Sequence, residues 1–447
     1  MKSTHIQRLG AAHFRFPVVS VAIVALWVGV PSSNLISAPP MAEPVVARVE
    51  MKLAVDEEVV DVIEQGDLLT VLEEREDDYV IVTHDGSKGA IDKVNAVRIE
   101  ESGDIYTELI MRNPDEGRYY TLRASSWWAL GKADRALEDF DKAIELGYHE
   151  AHAFTSRGLF HAEMGNFDEA IADYNEALEI DPTDLAPVIN RAAVYMSLGE
   201  YMNAVDDYTL VLKERKGSTS LLHQRAIALK AAGKLDEAAA DFETILKSNP
   251  DDNAAVMGHG YIRFQQKQHE QAIADFTKAI ELNPRNAVAF NNRGYNKNQI
   301  GDFDGAIADY DEAIRLAPNY ALAFQNRAWL LATASDEEIR DSALAVKSAK
   351  RACELSDYSS VGDLSALAAA LAADGKFSDA VGWQEKVIEL VAAPYKDFSQ
   401  KILQRYQDER PFAADPDQAN AEEKAAAEQE AAAKQQANAS AENEPNA

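Results

Sequence analysis

Apolar positions recur with a period of 34 residues from residue 117 onward, and the period holds through six copies without an insertion. In each copy an alanine is followed four residues later by an aromatic residue. The six aromatic residues are Phe140, Tyr174, Tyr208, Phe242, Phe276 and Tyr310. Apolar residues spaced three and four apart lie on one face of an α-helix. The pattern therefore predicts repeated helices that each bury one apolar face.

Glycine and proline recur in the copies and indicate that each copy contains two helices. Glycine lies in the middle of five copies, at Gly131, Gly165, Gly199, Gly233 and Gly301, and it tolerates the turn between two helices. Proline closes four copies, at Pro182, Pro250, Pro284 and Pro318, because it cannot continue a helix. A lone helix pair cannot bury its apolar face, so the pairs are expected to stack on one another.

This period and pattern resemble the tetratricopeptide repeat, and the resemblance covers residues 117–393. A seventh copy starts at Ala321, with its second helix displaced by five residues, and an eighth follows it. The resemblance implies a mostly α-helical fold, an α-solenoid of about eight helix pairs. Residues 394–412 are predicted to form a capping helix, whose apolar stripe consists of Phe398, Ile402, Leu403 and Tyr406.

Residues 45–100 show short apolar runs with turns between them, which predicts a small β-barrel-like module. The turns include Gly66-Asp67 and Asp85-Gly86. The order of these turns and runs resembles the bacterial Src-homology-three-like (SH3-like) domain, except that Ala90 stands where that family usually has tryptophan. The resemblance implies binding of cell-wall peptides. A structural cap or spacer for the following domain is the other interpretation.

The two ends of the chain differ in composition from the rest. Residues 1–42 combine a basic start with an apolar run from Pro17 to Val30, which predicts a signal peptide or an uncleaved N-terminal anchor. The protein is therefore expected to be exported, as a periplasmic, envelope-associated or secreted protein, with the membrane involved only through that anchor. Residues 413–447 are rich in Ala, Glu and Gln and are predicted to be a disordered tail.

Composition and charge argue against several functions. The chain has 75 Asp and Glu against 44 Lys and Arg, and its formal charge of −31 disfavours nucleic acid. Its one cysteine excludes an intrachain disulfide framework and a thiolate zinc cluster. No glycine-rich phosphate loop or catalytic motif occurs in the sequence. We therefore expect no enzymatic activity, cofactor or metal, and we do not favour the loose group His149, His152 and His161 as a metal site.

Charged residues follow the same 34-residue period. An aspartate precedes the aromatic residue in all six copies, as in Asp139 and Asp207, and an arginine recurs on the first helices, as in Arg123 and Arg191. His259 takes the place of arginine in the fifth copy. The favoured interpretation is a structural Arg–Asp pair between helices of adjacent repeats. The alternative is a charged rail that binds a ligand.

The resemblance to the tetratricopeptide repeat also implies a concave groove lined by the first helix of each repeat. The positions that carry over to repeats five to seven are Met257, Tyr261, Phe264, Asn291, Tyr295, Asn298, Gln325 and Trp329. Aromatic and amide side chains suit an extended peptide, which is expected to be neutral or basic. The predicted function is thus a non-enzymatic protein–protein interaction scaffold of the cell envelope. The alternative is a cell-wall-binding module in which the N-terminal barrel binds envelope peptides and the repeats act as a spacer.

Overall fold

A computed structural model describes residues 44–55, 58–83 and 86–412 of the 447-residue chain. The chain divides into two compact units, with the boundary between Gly233 and Lys234. The strands, all in the first unit, are β1 (Val45–Ala47), β2 (Met51–Val55), β3 (Glu58–Ile63), β4 (Leu68–Glu74), β5 (Asp78–Val82), β6 (Lys88–Asp92) and β7 (Ala96–Arg98).

The helices of the first unit are α1 (Gly103–Arg112), α2 (Gly117–Ala129), α3 (Ala133–Glu145), α4 (Ala151–Glu163), α5 (Phe167–Ile180), α6 (Leu185–Leu198), α7 (Tyr201–Glu214) and α8 (Thr219–Ala231). Those of the second unit are α9 (Leu235–Ser248), α10 (Asn253–Gln265), α11 (His269–Leu282), α12 (Ala287–Gln299), α13 (Phe303–Leu316), α14 (Ala321–Thr333), α15 (Ser342–Leu355), α16 (Val361–Ala373), α17 (Phe377–Leu390) and α18 (Lys396–Gln407).

The β module consists of a five-stranded antiparallel sheet, in the order β6-β5-β4-β1-β7, and a two-stranded ribbon of β2 and β3. Its core contains Leu53 and Ile63 from the ribbon together with Leu69 and Ile81 from the sheet. The predicted small β module is thus present. The turn at Gly86 has a φ of 86°, while its predicted partner Asp85 lies outside the described residues.

Helix α1 joins the β module to the repeats, and the pattern of apolar positions does not predict it. Tyr106 of α1 is fully buried, and its hydroxyl donates to the Gly66 carbonyl at 3.1 Å. Tyr106 and Leu109 form one apolar cluster with Val46 of β1 and Leu122 of α2. This helix therefore covers the end of the array that would otherwise expose its apolar core.

Eight helix pairs follow, which confirms the predicted tetratricopeptide-type architecture. They run from α2 and α3 through α16 and α17, and the unit boundary falls between the two helices of the fourth pair. The six periodic aromatic residues are at most 3% exposed, and the alanines four residues before them are fully buried. In the seventh pair, Ala345, Ala349 and Ala352 are likewise fully buried, as the displaced second helix predicts.

The turn inside each pair requires a left-handed residue. All five predicted turn glycines have φ between 69° and 82°. The fifth pair has no glycine there, and Lys267 takes the same conformation with φ of 60°. A side chain at positive φ is strained, so this turn is the least favourable of the set.

Helix α18 packs its Ile402 and Tyr406 onto the end of the second unit, where both are buried. The prediction that Phe398 belongs to this apolar stripe is wrong, because Phe398 is 41% exposed. The helix ends at Gln407, and Glu409, with φ of 54°, turns the chain back. Within the described ranges, none of the helices combines the length and apolar character that a membrane span requires. The predicted signal or anchor (1–42) and tail (413–447) lie outside those ranges.

Candidate functional site

Each regular Arg–Asp pair is a two-pronged ion pair within one repeat. Arg191 Nε and Nη2 donate to the two carboxylate oxygens of Asp207 at 2.9 and 2.7 Å. The same geometry holds for Arg123–Asp139, Arg157–Asp173 and Arg293–Asp309. The aspartates are 5–8% exposed and the arginines 17–20%. The hydrogen bond to Asp207 raises the pKa of the Arg191 guanidinium, which therefore stays charged.

The prediction that these pairs join adjacent repeats is wrong for the aspartate, which belongs to the same repeat as its arginine. The link to the preceding repeat is made by the remaining nitrogen, Nη1, which donates to a residue sixteen positions earlier in the chain. Arg157 Nη1 donates to Asp141 at 2.7 Å and Arg191 Nη1 to Asn175. Each arginine thus ties three helices together, because a guanidinium offers five donors in a fixed fork. Each of its three nitrogens donates to a residue of the chain, which favours the structural interpretation over a ligand-binding rail.

Three of the predicted groove residues, all aromatic, contact one another in the second unit. Phe264 of α10 lies edge-on to Tyr261 of the same helix, with ring centroids 5.7 Å apart. It also lies edge-on to Tyr295 of α12, at 5.2 Å. Tyr261 is 37% exposed, while Phe264 and Tyr295 are half-buried. We call Tyr261, Phe264 and Tyr295 the aromatic surface. It joins the first helices of repeats five and six, as the family pattern implies.

The amides of α12 have mostly structural partners. Asn291 is only 1% exposed, and its side-chain oxygen accepts from Asn326 of α14 at 2.9 Å. Asn296 is also 1% exposed, and its side-chain oxygen accepts from Nδ1 of His269 on α11 at 2.8 Å. These amides hold neighbouring helices together, so Asn291 is not available to a partner. Asn298 is half-buried and remains the candidate amide beside the aromatic surface.

The other three predicted groove residues have packing partners within the chain. Met257 packs on a buried apolar cluster that includes Val256. Gln325 lies against Gly362 at the start of α16. A Cβ added to Gly362 would lie 2.9 Å from the side-chain nitrogen of Gln325. Trp329 is covered by the chain itself, since its ring centroid is 5.2 Å from that of Phe412.

The remaining reactive groups have ordinary structural surroundings. His152 lies 2.8 Å from the Tyr148 hydroxyl, and His161 is buried. In the part of the chain that the structure describes, no three His, Cys, Asp or Glu side chains are grouped so that they could hold a metal ion. Burial raises the pKa of the Cys353 thiol to about 12, which suppresses the nucleophilic thiolate.

Comparison with solved structures finds repeat proteins of low sequence identity. The chain is similar to the C-terminal part of a TPR repeat-containing protein from Cytophaga hutchinsonii, with 17% identity, 50% of this chain and 93% of that chain covered, and a TM-score of 0.46. It is also similar to a tetratricopeptide repeat protein from Parabacteroides merdae, with 19% identity, 68% and 98% covered, and a TM-score of 0.42. A third is MamA from Desulfovibrio magneticus, with 16% identity, 38% and 97% covered, and a TM-score of 0.36.

Comparison with models of protein families identifies the repeats. Three models described as tetratricopeptide repeat match residues 151–184, 223–287 and 287–320. These ranges lie within the stretch where the 34-residue period, the buried alanines and aromatics and the paired helices coincide. The chain therefore contains tetratricopeptide repeats over the residues that these models match.

Proposed function

We propose that the protein is a non-enzymatic scaffold that binds an extended peptide segment of a partner protein on the aromatic surface of repeats five and six. The single observation that carries this proposal is the edge-on contact of Phe264 with both Tyr261 and Tyr295. It places three aromatic rings side by side on the first helices of two successive repeats. Aromatic side chains are enriched where proteins bind one another.

The chemistry of this surface suits a peptide with apolar side chains and a free backbone. The rings offer flat apolar area, and the amide of Asn298 on α12 can pair with a peptide group. The partner segment is expected to be neutral or basic, because a chain with a formal charge of −31 repels acidic segments. Salt screens that effect beyond about 8 Å, so the contribution of distant charges is small.

A peptide library tests this proposal even though the partner has not been identified. We would select displayed peptides on the full chain and measure their affinity for a Tyr261→Ala/Tyr295→Ala variant. The matched control is Tyr395→Ala, because Tyr395 is 38% exposed and Tyr261 37%. Affinity should fall at least ~10-fold in the double variant, or about 1.4 kcal/mol, and stay unchanged in the control. Full affinity in a folded double variant would refute the site.

The alternative site in the β module has less support from its side chains. Ala90, at the position where SH3-like domains usually have tryptophan, is exposed on β6 and has no ring to stack on a peptide. We therefore place the peptide site in the repeats.

We also propose that residues 1–42 direct export, on the basis of their basic start and apolar run. A phosphatase that is active only outside the cytoplasm, fused after Glu43, reports the location of the chain. It should be active only when residues 1–42 precede it. Equal activity of the fusion without those residues would contradict export.

A further inference from the structure

His259 occupies the place of the periodic arginine in repeat five, and a carboxylate lies at each of the two positions that such an arginine contacts. Asp275, sixteen residues later on α11, has Oδ2 3.1 Å from His259 Nδ1. Glu243, sixteen residues earlier on α9, has Oε1 3.9 Å from His259 Nε2. These are the same two register positions that the arginines of the other repeats contact. The imidazole thus lies between two acidic groups on the helices before and after its own.

The surroundings of His259 leave these contacts incomplete when the ring is neutral. The side chain is 6% exposed, and Nδ1, although close to Asp275, makes no aligned hydrogen bond. A neutral imidazole has one N–H, so it can donate to only one of the two carboxylates. Two cations also face this cluster. Arg263 of α10 contacts Asp275 at 3.1 Å, and Lys247 of α9 lies 3.9 Å from Glu243.

We propose that His259 is a proton-operated link between repeats four and five. When the ring takes up a proton, both nitrogens become donors, and His259 joins Glu243 on α9 to Asp275 on α11 as the arginines do elsewhere. Imidazole changes charge within about pH 5 to 8, whereas a guanidinium stays charged throughout. The link is therefore made by the protonated ring and not by the neutral one. This inference goes beyond the proposed peptide binding and does not depend on it.

Thermal unfolding of three full-length proteins tests the link: wild type, His259→Gln and His259→Arg. The melting temperature of wild type should exceed that of His259→Gln by about 2 °C more at pH 5.5 than at pH 8. His259→Arg carries a fixed charge, so it should exceed wild type at pH 8, and this gap should shrink at pH 5.5. His149→Gln, at an exposed position, is the control and should follow wild type at both pH values.

Two outcomes would overturn the proposal. One is a difference between wild type and His259→Gln that stays the same or shrinks on acidification. The other is a gap between wild type and His259→Arg that does not change with pH. The second comparison remains decisive if His259→Gln fails to fold.

Discussion

Replacing Arg191 by alanine removes a side chain that makes three hydrogen bonds in the third repeat. The change deletes two hydrogen bonds to Asp207, of 2.9 and 2.7 Å, and the bond to Asn175 of the preceding repeat. Asp207, whose side chain is 8% exposed, then lacks its guanidinium partner. We expect lower stability and no effect on peptide binding, because the aromatic surface belongs to repeats five and six.

The magnitude follows from the burial of the pair. Removing one partner of a fully buried ion pair costs about 3–5 kcal/mol, whereas an exposed pair contributes about 0–1 kcal/mol. The Arg191 side chain is 19% exposed and that of Asp207 8%. The pair is thus closer to the buried limit, and we expect Arg191→Ala to lower the free energy of unfolding by about 2–3 kcal/mol.

Urea denaturation followed by circular dichroism measures this loss. Arg315→Ala is the control, because Arg315 is 66% exposed and pairs with Glu312 within one helix, so its loss should leave the stability nearly unchanged. Adding Asp207→Asn to Arg191→Ala should recover part of the stability, since the unpaired charge is removed. The reasoning is refuted if Arg191→Ala costs no more than Arg315→Ala, or if the second change recovers nothing.

Three further predictions follow from the packing. Gly258→Ala should lower the melting temperature, because the added Cβ would lie 2.4 Å from the buried Phe242 ring. Gly382→Ala should raise stability by about 0.5–1 kcal/mol, because the added Cβ would have no described neighbour within 4 Å apart from its own helix backbone and alanine favours the helix. If both changes have the same effect in calorimetry, close approach is not what requires glycine at 258. Tyr310→Phe should be neutral or stabilising by up to about 1–2 kcal/mol in urea denaturation, because the hydroxyl is buried without a hydrogen-bond partner; a loss of stability would show that it has one. Cys353 should react with a thiol reagent only in denaturant, because burial raises its pKa to about 12; fast labelling of the folded protein would contradict this.

The repeat architecture could be predicted from the sequence because its physical requirements recur at every copy. An alanine that permits close packing and an aromatic that fills the space beyond it appear in all six regular copies, and a glycine turns the chain in five of them. Each copy therefore supports the interpretation of the others. Helix α1 occurs once and outside the period, so its role in covering the first pair became visible only when Tyr106 was seen beneath the β module.

The candidate site was predicted less completely, because a position in the repeat does not determine which partner a side chain meets. Asn291 lies at a groove position, yet it accepts a hydrogen bond from Asn326 of the next repeat and is buried. Trp329 also lies at a groove position, but Phe412, beyond the last helix, covers it. The sequence pattern predicts the aspartate partners of the periodic arginines, but not that each pair lies within one repeat. The contact with the preceding repeat is made instead by a residue sixteen positions earlier, such as Asp141 for Arg157.

The central claim is that the partner peptide lies on the aromatic surface, and site-specific photo-crosslinking tests it most directly. A photoreactive phenylalanine analogue would replace Tyr261 in one sample and Tyr395 in another, two side chains of nearly equal exposure. A library-selected peptide is then added, and the crosslinked residues are identified by mass spectrometry. The account predicts a crosslink from position 261 and none from position 395. Crosslinking from 395 alone, or equally from both, would contradict it.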